Sequence, residues 1–509
     1  MALFAWPPAS GNLAVSWPLY SAAAIQTLDR LAIEAGVAGF SLMQAAARQA
    51  WQLVQQRWPK CQRLAVICGA GKNGGDGLML AVFAQQAGVE VDIYLAQPMQ
   101  LQIEEVALAW QALQAAGLQA RQVAAHQADL EGYDVLVDGL LGVGLQAELR
   151  DPYVAWIEQI NSASCPVLAL DLPSGLNANT GQPSPIAVVA EVTLTFIGWK
   201  LGLFTGRGRD YVGALFLADL GVPARVATPP APLAELRDKL PALKRPASAH
   251  KGQQGKVLVL GGEMAGAALL AAQAALRSGA GRVKLLLPPD LVTLVIAAQP
   301  ELMVQSWTPS QAEVLKAALA WCDVLVIGPG LGQQADAQTL YQAALAWSGP
   351  TVMDADALNL LAQLGGVLDA ETVITPHPAE AARVLGCSVE VVEQDRLAAV
   401  KQLAQQTQAQ VVLKGSGSLI ASASGERPCL CPLGNPGMAV AGMGDLLTGC
   451  IAALMAQGRT PYEAACQGVL LHAWAGDQAA GSSPVGLLPS DLLTYLRLGV
   501  NGMKESAQA

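Results

Sequence analysis

The segment GNPGMAVAGMGDLLTG, Gly434 to Gly449, sets a glycine and an acid, Gly444 and Asp445, just ahead of an apolar run with helical character. Packing alone does not ask for that pattern. Glycines let a backbone approach a ligand closely, and the free amides at a helix start favour an anion in front of them. Asp445 at this junction is suited to cap the helix, or to act as a base beside the anion. A second such stretch, GAGKNGGDG from Gly69 to Gly77, follows the apolar run Arg63–Cys68 and leads into another helical pattern. Strand, glycine turn and helix start make an anion cradle of the dinucleotide-binding type. Asn73 and Asp76 add an amide and a carboxylate at its lip, where a tight turn asks only for glycine.

Further residues arrive at the same edge. The runs 134–138 and 166–171 predict strands that end in GLLGVGL and LPSGLNANTG, so Asp138, Asp171 and Ser174 follow Asn73 and Asp76 to the carboxyl ends of successive strands. Open parallel sheets bind ligands there. An Asp after a strand is more often a turn cap, but three in register favour a site. In the second half, predicted strands at 255–262, 283–287, 322–328, 351–354, 372–375 and 410–414 alternate with helices and end in GPGLG, TPHP and KGSGS. His377, in the TPHP turn, is by type more often a structural hydrogen-bonder than a catalyst. Its place at the same edge as GPGLG narrows that margin. Lys414, Gly415, Ser416, Gly417 and Ser418 offer a cation, hydroxyls and backbone amides suited to a nucleotide phosphate, although GSGS also suits a hairpin turn. The chain has no GxxxxGK[ST] loop, which argues against a P-loop NTPase. A kinase without that loop can neutralise a transferring phosphoryl at Gly442 to Gly444 and use Asp445 as the base.

The elements that must position these residues follow from composition and pattern. A chain of 509 residues exceeds one ordinary core. Hydrophobic content of 52% with 14% charged residues and 51 glycines suits buried parallel sheets, giving an α/β protein of two three-layer αβα domains. Residues 22–58 read as two helices divided at Gly36 to Gly39, and 101–117 as another. The proline-rich stretch VPARVATPPAPLAELRDKLPALKRPASAHKG is a linker with room for a short helix at 233–243. The domains are therefore expected at 1–229 and 230–509. A net charge of −10 argues against a nucleic-acid partner and for small molecules. The nine cysteines lack zinc-finger spacing and are expected to be reduced core residues, with Cys429 and Cys431 at a strand edge. The start fails as a signal peptide and no membrane span is expected, which points to the cytoplasm. A homo-oligomer is expected.

Residues 22–222 resemble the epimerase domain of the bacterial bifunctional NAD(P)H-hydrate repair enzymes, on GAGKNGGDG, VDGLLGVG, ALDLPSGLNANTG and TFIGWKLGLFTGRGRDYVG. That resemblance implies a Rossmann-like sheet. It implies substrate contacts at Lys72, Asn73, Gly74, Gly75 and Asp76, at Gly142, Val143, Gly144, Leu145, Gln146, Ala147 and Glu148, and at Asp171. It also implies a potassium ion (K+) on Asn73, Asp138 and Ser174. Lys72 stands where the family usually has asparagine. Residues 249–500 resemble the ADP- or ATP-dependent NAD(P)H-hydrate dehydratases of the ribokinase-like superfamily, on HKGQQGKVLVLGG, GPGLG, DADALNLL, TPHPAEAARVLG, LKGSG and GNPGMAVAGMGDLLTG. Here the resemblance implies hydrate contacts at Ala267, Gly332, His377 and Asp445, and the adenine nucleotide on Lys414 to Ser418 and Gly444.

Together these imply a repair enzyme for NADHX and NADPHX. The first domain would interconvert the R and S hydrates, with Asp171 moving the proton. The second would phosphorylate the S hydrate from ADP or ATP with magnesium (Mg2+), Asp445 acting as base, and lose phosphate to restore the dihydronicotinamide. A rival reading keeps a ribokinase-like kinase of some other small alcohol, joined to a non-catalytic nucleotide-binding scaffold.

Overall fold

Apolar runs with no polar alternation form the central strands of two largely parallel sheets in the computed structural model, which describes residues 3–6, 16–144 and 149–502. The chain divides into two compact units, residues 1–234 and 235–509. Among the described residues no helix is long and apolar enough to cross a membrane.

The first unit holds an eight-stranded sheet in the order Leu3–Trp6, Ala214–Ala218, Val192–Phe196, Val167–Leu170, Val135–Gly139, Arg63–Cys68, Glu90–Leu95, Ala120–Gln122. All neighbours are parallel except the first pair. Successive side chains of Arg63–Cys68 feed different cores, as a two-residue period requires. Leu64, Val66 and Cys68 pack with residues of the Ala22–Glu34, Gly39–Arg57 and Lys72–Gln86 helices, while Ala65 and Ile67 pack with Trp156 and Ile157 of Tyr153–Ser162. That is a three-layer αβα arrangement. Ser21 caps the first helix by accepting from Ala24 N at 3.1 Å, and the expected break before Gly39 contains Gly36 at φ +94°. Register opposes Ile67 to Asp138 and Asp138 to Ala169, so the carboxyl ends of three strands finish level. From Arg63–Cys68 the chain builds outward in one direction through Glu90–Leu95, then in the other from Val135–Gly139, and the crevice between those halves is a topological switch point.

The second unit has a sheet ordered Met303–Ser306, Arg282–Leu287, Lys256–Leu260, Val324–Ile327, Thr351–Met353, Thr372–Ile374, Gln410–Leu413, Ser418–Ala421, Cys429–Cys431. It is parallel as far as Gln410–Leu413 and antiparallel over the last two pairings. Lys414 to Gly417 is thus the hairpin turn that GSGS alone suggested, and it still delivers Lys414 to the carboxyl edge.

Two expectations fail here. Residues 233–243 form no helix: prolines at 232 and 241 leave too few residues for a stable one. Glu235 instead pairs in parallel with Cys429 and Leu236 with Leu430, so Cys429–Cys431 is flanked on both sides and is no edge. All nine cysteines are free thiols.

Candidate functional site

Each unit gathers its polar residues at the carboxyl edge of its own sheet. In the first, a cavity of about 730 Å³ is lined by Lys72, Asn73, Asp76, Gly142, Val143 and Asp171, among others. The glycines make it possible by close approach: a Cβ on Gly69 would lie 1.8 Å from Leu140 O, and one on Gly74 1.9 Å from Gly69 O.

Asp171 adopts φ +66°, an uncommon conformation for a residue with a Cβ. Its Oδ1 accepts from Lys200 Nζ at 2.5 Å and Phe196 N at 3.3 Å, and its Oδ2 accepts from Val143 N at 3.1 Å. Lys200 is fully buried and also donates to Thr195 Oγ1 and Phe196 O, at 2.7 and 2.8 Å. Burial pulls its ammonium pKa down, with Asp171 opposing. Lys200 is the functional residue the sequence reading missed; its signal was a lone charge inside the apolar run FIGWKLGLF.

Asp138 is fully buried and accepts from Ser174 Oγ at 2.6 Å, Ser174 N at 2.8 Å and Leu140 N at 3.2 Å. Burial pushes its carboxyl up to about 6, against those hydrogen bonds. No cation pairs with it among the described residues. Both side-chain polar atoms of Asn73 are buried without a partner. An unpaired buried carboxylate next to orphaned amide atoms fits a hard cation with oxygen ligands. Lys72 Nζ lies 3.1 Å from both Asp29 and Glu105. Burial works against its charge, but the two acids raise its pKa, so Lys72 braces three helices at the cavity instead of standing free for a phosphate. Of the remaining sequence-derived contacts, Gly75 is buried against Met43, Gly144 lies in the turn at the cavity, and Leu145, Gln146, Ala147 and Glu148 fall outside the described residues.

In the second unit Gly442, at φ +96°, caps the helix Met443–Ala456. Asp445 is therefore the third residue of the first turn, not the cap. Burial, then neighbouring Asp354, pushes its carboxyl up to about 7, with Lys414 opposing. Lys414 Nζ lies 2.7 Å from Asp354 Oδ1 and 3.8 Å from Glu380 Oε2. Its ammonium is disfavoured by burial but raised overall by Asp354, Glu380 and Asp445. Thr448 Oγ1 lies 2.9 Å from Asp354 Oδ2, and a Cβ on Gly444 would sit 3.1 Å from Lys414 Nζ. A single lysine thus faces several acids, a surplus of negative charge that fits a further cation. Asp354 and Glu380 stand inside DADALNLL and TPHPAEAARVLG, where sequence alone gives them no role. Ala355 between Asp354 and Asp356 adopts φ +47°, a strained conformation of the kind held at functional sites.

Two of the other expected contacts, Gly332 and His377, bond to acids of this group. Gly332 N donates to Asp356 Oδ2 at 2.9 Å, and Met264 N donates to Gly330 O just ahead of Ala267 in the first turn of Ala265–Arg277. His377 is the cap of Pro378–Leu385: its Nδ1 accepts from Ala379 N at 3.1 Å and Glu380 N at 3.3 Å, while Glu380 returns the bond to His377 N. An accepting Nδ1 makes His377 a neutral ring with its proton on Nε2, 3.3 Å from Glu380 Oε1. Burial and Lys414 lower its pKa accordingly. Beneath the Lys414 to Gly417 turn, buried Arg396 donates to Lys414 O at 3.0 Å and pairs with Glu393 at 2.8 Å. At the turn itself the Ser418 hydroxyl accepts from Gly415 N at 3.3 Å, which leaves Ser416 exposed at the tip.

Comparison with known proteins matches residues 257–498 to the NAD(P)H-hydrate dehydratase family and 39–202 to the YjeF-related protein N-terminus family. A bifunctional NAD(P)H-hydrate repair enzyme of Coxiella burnetii is 41% identical over 490 residues, 95% of this chain and 99% of that protein. The Escherichia coli protein of the same name is 40% identical, over 92% of this chain and 90% of its own length. Among solved structures, an ADP/ATP-dependent NAD(P)H-hydrate dehydratase from Bacillus subtilis, co-crystallised with ATP/Mg2+, matches 51% of this chain and 92% of its own at 30% identity and a TM-score of 0.44.

Proposed function

Because the chain belongs to the bifunctional NAD(P)H-hydrate repair enzymes, we propose that its two sites act in succession on one damaged cofactor. The enzyme epimerises the R and S forms of NAD(P)HX and dehydrates the S form to NAD(P)H at the expense of ADP or ATP. The observation that carries the division of labour is that each unit has its own acid at its own glycine-lined edge: Asp171 in the first, Asp445 in the second.

In the first unit Asp171 is the proton-transfer residue. Lys200 and two backbone amides, of Phe196 and Val143, fix its orientation, with Oδ2 beside Gly142. Asn73, Asp138 and Ser174 would hold K+, which would supply a fixed positive charge to a carboxylate that has none nearby. Gly142, Val143 and Gly144 would lie along the nucleotide.

In the second unit Asp445 takes the proton of the substrate hydroxyl as that oxygen attacks the terminal phosphoryl. Hydroxide is a poor leaving group and phosphate a good one, so the transfer prepares the elimination that follows. The amides at the start of Met443–Ala456, with Gly444, face the transferring group, and Lys414 to Ser418 hold the nucleotide phosphates. Mg2+ would arrive largely on those phosphates and offset their charge. Ala267, Gly332 and His377 would contact the hydrate.

The test is return of the near-ultraviolet absorbance of NADH from mixed hydrates with ADP and Mg2+. Asp445→Asn should slow it by about 10²- to 10⁴-fold while R and S still interconvert. Undiminished recovery would remove Asp445 as the base.

A further inference from the structure

Of the five carboxylates that line the first unit's cavity, Glu34 is paired with Arg30, and Asp29 and Glu105 with Lys72; the other two, Asp76 and Asp171, have opposite surroundings. Asp171 is saturated with donors: Lys200, Phe196 N and Val143 N. Asp76 has none: among the described residues its side chain makes no hydrogen bond and no ion pair. It projects from the Lys72–Gln86 helix one turn after Asn73, on the face that lines the cavity. The nearest ammonium on its helix, Lys72, is already held by Asp29 and Glu105. A carboxyl paired with a buried lysine and a neighbouring one left without any donor stand in environments different enough to divide the roles of base and acid. Burial, then the charges of Asp171 and Asp29, push the Asp76 carboxyl well above its ordinary range.

Resting on the epimerase reading of this cavity, we infer that Asp76 is a second catalytic residue, the general acid that works with Asp171 as the base. The reacting carbon carries a hydroxyl and the ring nitrogen. Asp76 gives its proton to that hydroxyl, the carbon–oxygen bond breaks, and water leaves. The nitrogen lone pair forms a carbon–nitrogen double bond as it does so. Water then adds to the opposite face of the ring, its oxygen bonding to the same carbon while the electron pair of the double bond returns to nitrogen. Asp171 takes the proton released by the added water. One water leaves and one enters, and the proton gained by Asp171 returns to Asp76 through solvent in the cavity, so the enzyme ends as it began. No oxidant or metal step is required.

The experiment follows conversion of pure R hydrate to S hydrate by the full-length protein, separating the two by chromatography, with Asp76→Asn, Asp76→Glu and Asp171→Asn. Asp76→Asn should cut turnover by about 100-fold or more with little change in KM. Asp76→Glu, which keeps a transferable proton, should recover most of it, and the wild type run in oxygen-18 water should place label on the ring hydroxyl. Asp76→Asn turnover within about threefold of wild type, or Asn and Glu variants equally inactive, would overturn the assignment to Asp76. Asp76→Asn and Asp171→Asn both as active as wild type would instead overturn the epimerase reading of the cavity.

Discussion

Asp445 gains its chemistry from not being the cap of its helix. Gly442 takes that place, so the carboxyl sits on the third helical residue, half-buried, where burial and the charges of Asp354, Asp356 and Glu380 push it up to about 7. A base must be ionised to accept a proton. Dehydration should therefore rise as pH increases through about 7 and level above it, since burial raises the pKa and the protonated form dominates below. A pH profile of kcat/KM for the S hydrate checks this; a profile flat between pH about 5 and 8 would reject Asp445 as the titrating base. The placement of Asp138 and Asp171 was legible in the sequence because each stands at the end of a strand, and that of Asn73 because it opens the helix after a glycine turn. Lys200, Asp354 and Arg396 were not, since their partners Asp171, Lys414 and the Lys414 carbonyl come together only through tertiary folding. The ion pairs of Lys72 were not legible for the same reason: nothing local announces that Asp29 and Glu105 meet its ammonium.

At the scale of elements, Arg63–Cys68 was readable residue for residue, and even the three-residue strands Thr351–Met353 and Thr372–Ile374 fall inside the expected runs. Val192–Phe196, Ala214–Ala218 and Ala120–Gln122 were not, since such short runs are set apart as strands only by pairing with their neighbours. The linker strand Ala234–Leu236 is decided by its neighbour Cys429–Cys431 and not by its own residues. Three elements, the turn before Lys72–Gln86 and the ends of Val135–Gly139 and Val167–Leu170, together leave Asp138 buried without a cation and Asn73 without a partner. Binding of K+ there should favour the folded state in proportion to occupancy. Above pH about 7 the Asp138 carboxyl, at about 6 in the fold, is ionised, and K+ in place of tetramethylammonium should raise the melting temperature by on the order of 5 °C. The gain should fade as pH falls through about 6, because a protonated carboxyl no longer attracts the cation. Equal melting curves in the two salts at both pH values would remove the site.

The molecule as a whole couples two chemistries through a substrate and not through a shared residue. Each unit has its own sheet and carboxyl edge, and no residue assigned to one site belongs to the other. If the S hydrate is a free intermediate, the two activities need not reside in one chain. An Asp445→Asn protein should keep epimerisation and an Asp171→Asn protein dehydration, so each alone should restore NADH from pure R hydrate poorly. Mixed, they should restore it at a rate that climbs with the concentration of the Asp171→Asn partner, because the S hydrate must diffuse from one molecule to another. Absorbance recovery from the mixture, against each variant alone, reads this directly. Failure of the mixture, with each variant retaining its single activity, would mean that the S hydrate does not escape the chain that makes it, and the two units would then have to be joined by a protected path.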